Sequence, residues 1–380
     1  MDEGRAAPIY LDHNASTPLD PAVAAAMRPF LDEAFGNPSS GHWASAPAKA
    51  ALEHARGQVA ALLGAAPDEI VFTGGGSEAN NFALKGTYFA RRDKGNHIVT
   101  TAIEHPAILG PCRFLERLGA TVTYLPVDGS GRVDPEDVRK AITPRTILIS
   151  VMHANNEVGT IQPIAEIGAI ARAHGVVFHT DAAQSVGKIP TQVDSLGVDL
   201  LTVAGHKLYA PKGVGALYVR RGIELEPLIH GGDHEGGRRA GTESALLAVG
   251  LGAAAVLAQD LASMERVRAL RDRFWDSLSR RFGNRVVLNG HPQHRLPNTL
   301  NVSFVGQIGA EVLARLDRVA ASTGSACHAG RIELSAVLRA MGVPPVIGAG
   351  AVRFSLGRGT TEREIDSVSR RLAGMLAAAA

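Results

Sequence analysis

The sequence predicts an α/β protein, with a large unit built on a mostly parallel seven-stranded sheet and a smaller α+β unit after it. Three observations lead there. Seven compact apolar runs rich in β-branched residues alternate with amphipathic segments long enough to make crossover helices. No repeat, coiled-coil heptad or low-complexity tract interrupts that alternation, which is the mark of layered α/β architecture. The chain has 380 residues, well above the ~150 of one average domain, so a second unit is expected.

Element by element, Met1 to Pro8 carries acids and lacks the apolar core of a signal peptide, so it reads as a short tail with no export signal. The expected strands are Ile70 to Thr73, His97 to Thr101, Val122 to Pro126, Thr146 to Val151, Val176 to Thr180, Leu200 to Val203 and Gly215 to Val219. Near-continuous apolar runs of this kind suit a sheet covered on both faces. Ser77 to Ala90, Pro106 to Leu118, Pro135 to Ala141 and Ile164 to His174 read as covering helices. Beyond Gly241 the texture changes to a long Ala/Leu/Arg stretch, Ser244 to Arg281, readable as one long helix shared by both units. Strand-like Val286 to Leu288 and Asn298 to Phe304 follow, then a closing helix from Thr361.

Composition excludes several functions. Lys plus Arg (39) nearly balances Asp plus Glu (37), and a net charge of +2 gives no basic footprint for gripping nucleic acid or a membrane surface. No apolar run reaches the ~18 residues of a membrane span. Two cysteines, Cys112 and Cys327, are too few for a disulfide framework and too far apart for a CxxC pair, which fits a reducing cytoplasm. The fourteen histidines show neither HExxH nor Cys/His zinc spacing, so no metal is expected. A small-molecule substrate remains.

In an open α/β sheet the chemistry gathers at the carboxyl ends of the strands. Thr73-Gly74-Gly75-Gly76-Ser77-Glu78 follows a strand and opens a helix, so backbone N–H groups and the Ser77 hydroxyl can cradle a phosphate there. The loop lacks GK[ST] and GxGxxG, which disfavours a nucleotide, and by itself it is as readily a plain glycine turn. Asp181 ends a strand in His179-Thr180-Asp181-Ala182-Ala183-Gln184, where a carboxylate can hold a pyridine nitrogen protonated with Gln184 in reach of the same ring. About one strand later, Ala204-Gly205-His206-Lys207 offers a lysine able to form the Schiff base that pyridoxal phosphate (PLP) requires. Alone, Lys207 reads as an exposed charge; the three features in this order point to PLP. His105, in Glu104-His105-Pro106, can stack on the cofactor or shuttle protons. Asn155 or Asn156 can donate to the phenolic oxygen, although isolated histidines and Asn-rich turns are more often structural. Cys327 sits among small residues, Ser322 to Gly330, that leave a thiol accessible as a nucleophile, whereas Cys112 falls in a helical segment and reads as inert. Arg353 can clamp a carboxylate bidentately, where a solvated surface arginine is the plain reading.

Together, Tyr10-Leu11-Asp12-His13-Asn14-Ala15-Ser16-Thr17-Pro18, TGGGSEANN, AIEHPA, MHANNEVG, HTDAAQ, GHKLYAPKG, RRAGTES, GSACHAG and RFSLGR, in that order over nearly the whole chain, resemble the NifS/IscS-like cysteine desulfurases. These are fold-type I, class V PLP enzymes. The resemblance implies a homodimer with shared sites that converts L-cysteine to L-alanine, leaves a persulfide on Cys327 and passes the sulfur to an acceptor protein, such as an iron–sulfur protein. By position it implies Lys207 as the Schiff-base lysine, Asp181 on the pyridine nitrogen, His105 stacked on the ring, and Gln184 and Asn156 at the ring oxygen. Gly76, Ser77 and His206 are then expected around the phosphate, with Thr242 reaching it from the other subunit, and Arg353 on the substrate carboxylate with Asn14 and Asn156 nearby. Residues 1–16 are expected to pack with the small unit, 17–255 to form the large PLP-binding unit, and 256–380 the small unit carrying the catalytic cysteine. Chain length and the position of Cys327 also resemble the desulfurases of bacterial DNA phosphorothioation, which stands with iron–sulfur cluster assembly and thio-modification as a destination for the sulfur. The near-neutral charge implies delivery through a partner protein rather than a grip on DNA.

Two departures from the family pattern stand out. Ala204 occupies a position where the family usually has Ser, which removes one phosphate hydroxyl. His328 follows Cys327 where Ser or Thr is common, and a Cys-His pair there also resembles selenocysteine lyases. Selenocysteine lyase is therefore the alternative activity and a PLP transaminase the next; outside enzymes, a PLP-free scaffold retaining the fold is the competing reading.

Overall fold

A computed structural model describes residues 7–323, 326–328 and 331–377; the side chains of 326–328, 331–333 and 376–377 lie outside that description. Strand β1 (Ile9–Tyr10) is followed by β2 (Ile70–Thr73), β3 (His97–Thr101), β4 (Thr121–Leu125), β5 (Thr146–Ser150), β6 (Val177–Asp181), β7 (Leu200–Ala204) and β8 (Gly215–Val219). Strands β2 to β8 form a seven-stranded sheet in the order β2-β8-β7-β6-β5-β3-β4. Only β8 runs against its neighbours, β2 and β7. Each expected strand of the large unit is present within a residue of its predicted ends.

The apolar runs explain the layering. Val99, Ile149, Phe178 and Leu201 feed one core cluster, while the preceding residues Ile98, Leu148, Val177 and Leu200 feed another, as alternation along a strand requires. Helices cover both faces. The Ala46–Leu63 and Ala245–Ala258 helices pack against each other. A Cβ added at Gly252 would stand 2.8 Å from Ala55 Cβ, so the missing side chain lets the two helices approach. The helix expected from Ser77 runs as Gly76–Asn81, a π turn at Phe82–Gly86, and Thr87–Arg91.

The stretch read as one long helix is two, Ala245–Ala258 and Ala262–Phe282, bent by 73°. Asp260 makes the break, because its Oδ1 accepts from the Ala262 N–H at 3.1 Å and caps the second helix. Beyond lie β9 (Val286–Asn289), β10 (Thr299–Phe304), β11 (Val319–Ala320), β12 (Ala326–His328), β13 (Arg331–Glu333) and β14 (Ala351–Ser355). A three-stranded antiparallel sheet, β14-β10-β9, forms there. Phe274, Phe304, Phe354 and Leu372 build a separate core beneath it, and Ile9 and Leu11 join that core from the other end of the chain. The junction is a parallel pairing of β1 with β11. Strands β12 and β13 pair antiparallel, with Cys327 opposite Ile332. Among the described residues no single helix is long and apolar enough to cross a membrane.

Candidate active site

A cavity of about 610 Å³ lies where the strands of the large sheet end, within the size range of small-molecule sites. Asp181, the last residue of β6, faces it and is 6% exposed. Its Oδ2 accepts from Asn80 Nδ2 at 2.7 Å and its Oδ1 from the Ala183 N–H at 2.9 Å, so neutral donors fix the carboxylate from both sides. Lys207 closes a short 3₁₀ turn, Gly205–Lys207, directly after β7. Its Nζ donates to the backbone oxygens of Asn14 at 2.6 Å and Ala15 at 2.7 Å. Burial pushes this amine down to about 8, with Arg353 acting the same way and Asp12 and Asp181 opposing. An amine near neutrality is a competent nucleophile and proton carrier.

His105 precedes the Pro106–Glu116 helix and caps it, Nδ1 accepting from the Ala107 N–H at 3.1 Å. An accepting Nδ1 places the ring proton on Nε2. Burial lowers the His105 pKa, with Lys207 adding to the effect against Asp181, so the neutral ring is favoured. His206 is likewise pushed down to about 4, by burial first and then by Lys207 and Lys212. Gly76 and Ser77 line the cavity at the start of their helix, whose first N–H groups have no intrahelical partner. Gly75 before them has φ 144°, a conformation that favours glycine. Ala204 packs under this loop: a Cβ on Gly76 would sit 3.0 Å from Ala204 Cβ.

Arg353 comes to the cavity from β14 of the second sheet. Its Nη1 donates to the Asn156 backbone oxygen at 2.8 Å, and its Nη2 pairs with Asp12 Oδ1 at 2.7 Å. Asn14 completes that side, donating from Nδ2 to the Asn156 oxygen at 3.2 Å and to Thr299 Oγ1 at 2.8 Å. A lysine at a strand end, a fixed carboxylate, a capping histidine and an inward arginine stand around one cavity, and the sequence matches the aminotransferase class-V family over residues 9–368. The chain belongs to the class-V aminotransferase family.

Within that family, it is 50% identical over 363 residues to a cysteine desulfurase IscS of Dictyoglomus turgidum, covering 94% of this chain and 92% of that one. Among solved structures, a NifS-like protein superposes with a TM-score of 0.91 at 36% identity, covering 97% of this chain and 99% of the other. SspA in complex with cysteine superposes at 0.82 with 40% identity, covering 93% and 100%. The mostly parallel α/β fold and the family read from the sequence are both borne out.

Several details of this site differ from the sequence reading or extend it. Asn155 and Asn156, inseparable on local chemistry, separate here. Asn155 is spent on the turn, its Oδ1 accepting from the Glu157 and Val158 N–H groups and its Nδ2 donating to the Ile103 oxygen, while Asn156 lines the cavity. Gln184 also lines it, but its Nε2 donates to the Asn14 oxygen at 2.9 Å and its Oε1 is buried without a partner among the described residues. Thr242 does not line the cavity within its own chain; it borders a smaller one of about 230 Å³ with Gly74 and Gly213. The Cys327 side chain lies outside the described residues, and only its backbone place in β12 is given. Cys112 is fully buried, and burial pushes its thiol up to about 12, which suits the inert reading.

Three residues were missed. Asn80 lies three residues after Ser77, on the same helix face, a spacing that points its amide at the strand-end Asp181. Asp12 sits in a quoted motif, but its partner is 341 residues away. Glu104, beside His105, accepts at Oε1 from Thr101 Oγ1 and the Met152 N–H, tying the end of β3 to the segment after β5; burial pushes it up to about 8.

Proposed function

We propose that this chain is a cytoplasmic, homodimeric, PLP-dependent cysteine desulfurase that converts L-cysteine to L-alanine and leaves the sulfur on Cys327 for an acceptor protein. The observation that carries this reading is the convergence of Lys207, Asp181, His105 and Arg353 on one cavity beside the Ser77 helix start. Its polar lining fits PLP: N–H groups and a hydroxyl for a phosphate, a buried carboxylate for a ring nitrogen, and an amine near 8 for an aldehyde. When bound, PLP supplies an electron sink next to the substrate amine. Arg353 would hold the substrate carboxylate, with Asn14 and Asn156 alongside, and Lys207 Nζ would move the proton at Cα. The Cys327 thiolate then attacks the substrate sulfur: the Cβ–S bond breaks, an S–S bond forms on Cys327, and the electron pair left on Cβ is closed by a proton to give alanine.

In this reading residues 17–255 form the PLP-binding unit and 256–380 the unit carrying Cys327, with residues 1–16 packed on the latter. The separate core that Ile9 and Leu11 share with residues 264–372 supports that division. Thr242 would complete the phosphate site of the other subunit, in keeping with its absence from its own chain's cavity lining. Leu31, Phe35 and Trp43, 67%, 77% and 86% exposed, supply apolar surface for a second copy to cover.

The test compares Cys327→Ala with Cys112→Ala, each assayed with L-cysteine and L-selenocysteine. Cys327→Ala is expected to lose alanine formation from cysteine and the protein-bound persulfide while keeping the visible cofactor band; Cys112→Ala is expected to keep all three. Retained cysteine turnover in Cys327→Ala would overturn the transfer step and favour a lyase that works by direct elimination.

A further inference from the structure

Arg353 is already engaged before any substrate arrives. Strand β1 is followed by Asp12, whose backbone bridges Ser355 on β14 and so stands beside Arg353 two residues earlier on that strand. Asp12 Oδ1 accepts from Arg353 Nη2 at 2.7 Å and from Ser322 Oγ at 2.9 Å. Both partners are largely buried, the Arg353 side chain 10% and the Asp12 side chain 18% exposed. Arg353 lines the cavity and Asp12 does not. The guanidinium therefore turns one edge to an internal carboxylate, while its Nε is buried with no partner among the described residues.

We propose that Asp12 is a resident counter-ion for Arg353 that competes with the incoming substrate carboxylate and thereby sets how tightly amino-acid substrates bind. This rests on Arg353 being the carboxylate anchor of the reaction proposed above. Two carboxylates on one largely buried guanidinium repel each other in a medium that screens weakly, so the second binds against the first. Ser322 draws on the same Asp12 oxygen and so weakens its hold on Arg353. Asp12 acts through Arg353 and is a positioning residue.

The experiment titrates the PLP-loaded protein with L-alanine, read by the visible absorbance, beside steady-state kinetics with L-cysteine. Asp12→Asn keeps an acceptor for Nη2 but removes the charge; it is expected to bind L-alanine at least about threefold more tightly and to lower KM similarly, with kcat within about twofold. Ser322→Ala, which leaves Asp12 wholly on Arg353, is expected to shift the L-alanine constant the other way, by about twofold. Asp12→Asn that binds L-alanine as weakly as the parent, or more weakly, overturns the inference and makes Asp12 a plain orienting partner. Should Asp12→Asn not fold, an unchanged or tighter constant in Ser322→Ala overturns it equally. A parent protein that carries the visible band but ignores L-alanine overturns the desulfurase reading, and this inference with it.

Discussion

On the sheet side of the cavity, Asp181 and His105 are each held by a backbone N–H two residues further along, from Ala183 and Ala107, and only the second bond to Asp181, from Asn80 101 residues earlier, comes from afar. On the opposite side, Arg353 is fixed by the Asn156 oxygen 197 residues away and by Asp12 341 residues away. The first side inherits its geometry from where a strand stops and a helix starts. The second exists only once the two ends of the chain have come together through β1, β11 and β14. In the proposed reaction the cofactor side rests mainly on local structure and the substrate side on long-range assembly, so the two should separate under mutation. Lys207 straddles the divide, rooted at the end of β7 but hydrogen-bonded to Asn14 and Ala15.

The largest effect is expected from Lys207→Ala, which removes the residue common to both sides. Turnover should fall by about three orders of magnitude or more, and the borohydride-reducible link between protein and cofactor should vanish. A lysine-linked adduct mapped elsewhere would break the assignment. The parent protein offers a pH signature for the same residue. Because burial lowers the Lys207 amine from 10.5 to about 8, the neutral, reactive form prevails above about pH 8. Loading of the cofactor into the stripped protein should therefore speed up as pH rises and level off just above 8. A rate still climbing toward 10 would mean that the amine is not desolvated.

Next in size is Arg353→Ala, which strikes the long-range side alone. Losing charged hydrogen bonds to a carboxylate should raise KM for L-cysteine by about 10- to 100-fold, while the visible band of the cofactor stays in place. A variant that also loses the band would show that the two sides are one unit and would dissolve the comparison.

The same division governs what was legible in the sequence. Buried strands announce themselves as apolar runs, so Asp181, Lys207 and the Gly74 to Ser77 loop could be placed at strand ends from pattern alone. Strands of two residues such as β1 and β11 carry no period, and their pairing joins segments at opposite ends of the chain. The Asp12–Arg353 pair was illegible for that reason. The break between the Ala245–Ala258 and Ala262–Phe282 helices was missed for a different one: a lone Asp260 in an Ala/Leu/Arg stretch is a weak signal until its capping bond is seen. Thr242 was placed by resemblance, and nothing in its own chain's cavity could have suggested it.

The smallest effects sharpen the comparison inside a single dipeptide. Asn155 has no exposed surface, and its side chain satisfies the Glu157 and Val158 N–H groups and the Ile103 oxygen. Asn155→Ala leaves buried backbone groups unpaired and should cost about 2 to 4 kcal/mol, read as a lower urea midpoint at unchanged slope. Asn156 faces the cavity and holds Arg353 through its backbone oxygen, which alanine retains. Asn156→Ala should therefore cost about 1 kcal/mol or less, yet shift the visible cofactor band if its amide meets the ring oxygen. Stability lost at 155 with the band preserved, and the band moved at 156 with stability preserved, would assign the turn to the first residue and the site to the second. Equal losses of stability at both positions would mean that the Asn156 side chain also serves the turn, and its part in holding the cofactor would fall.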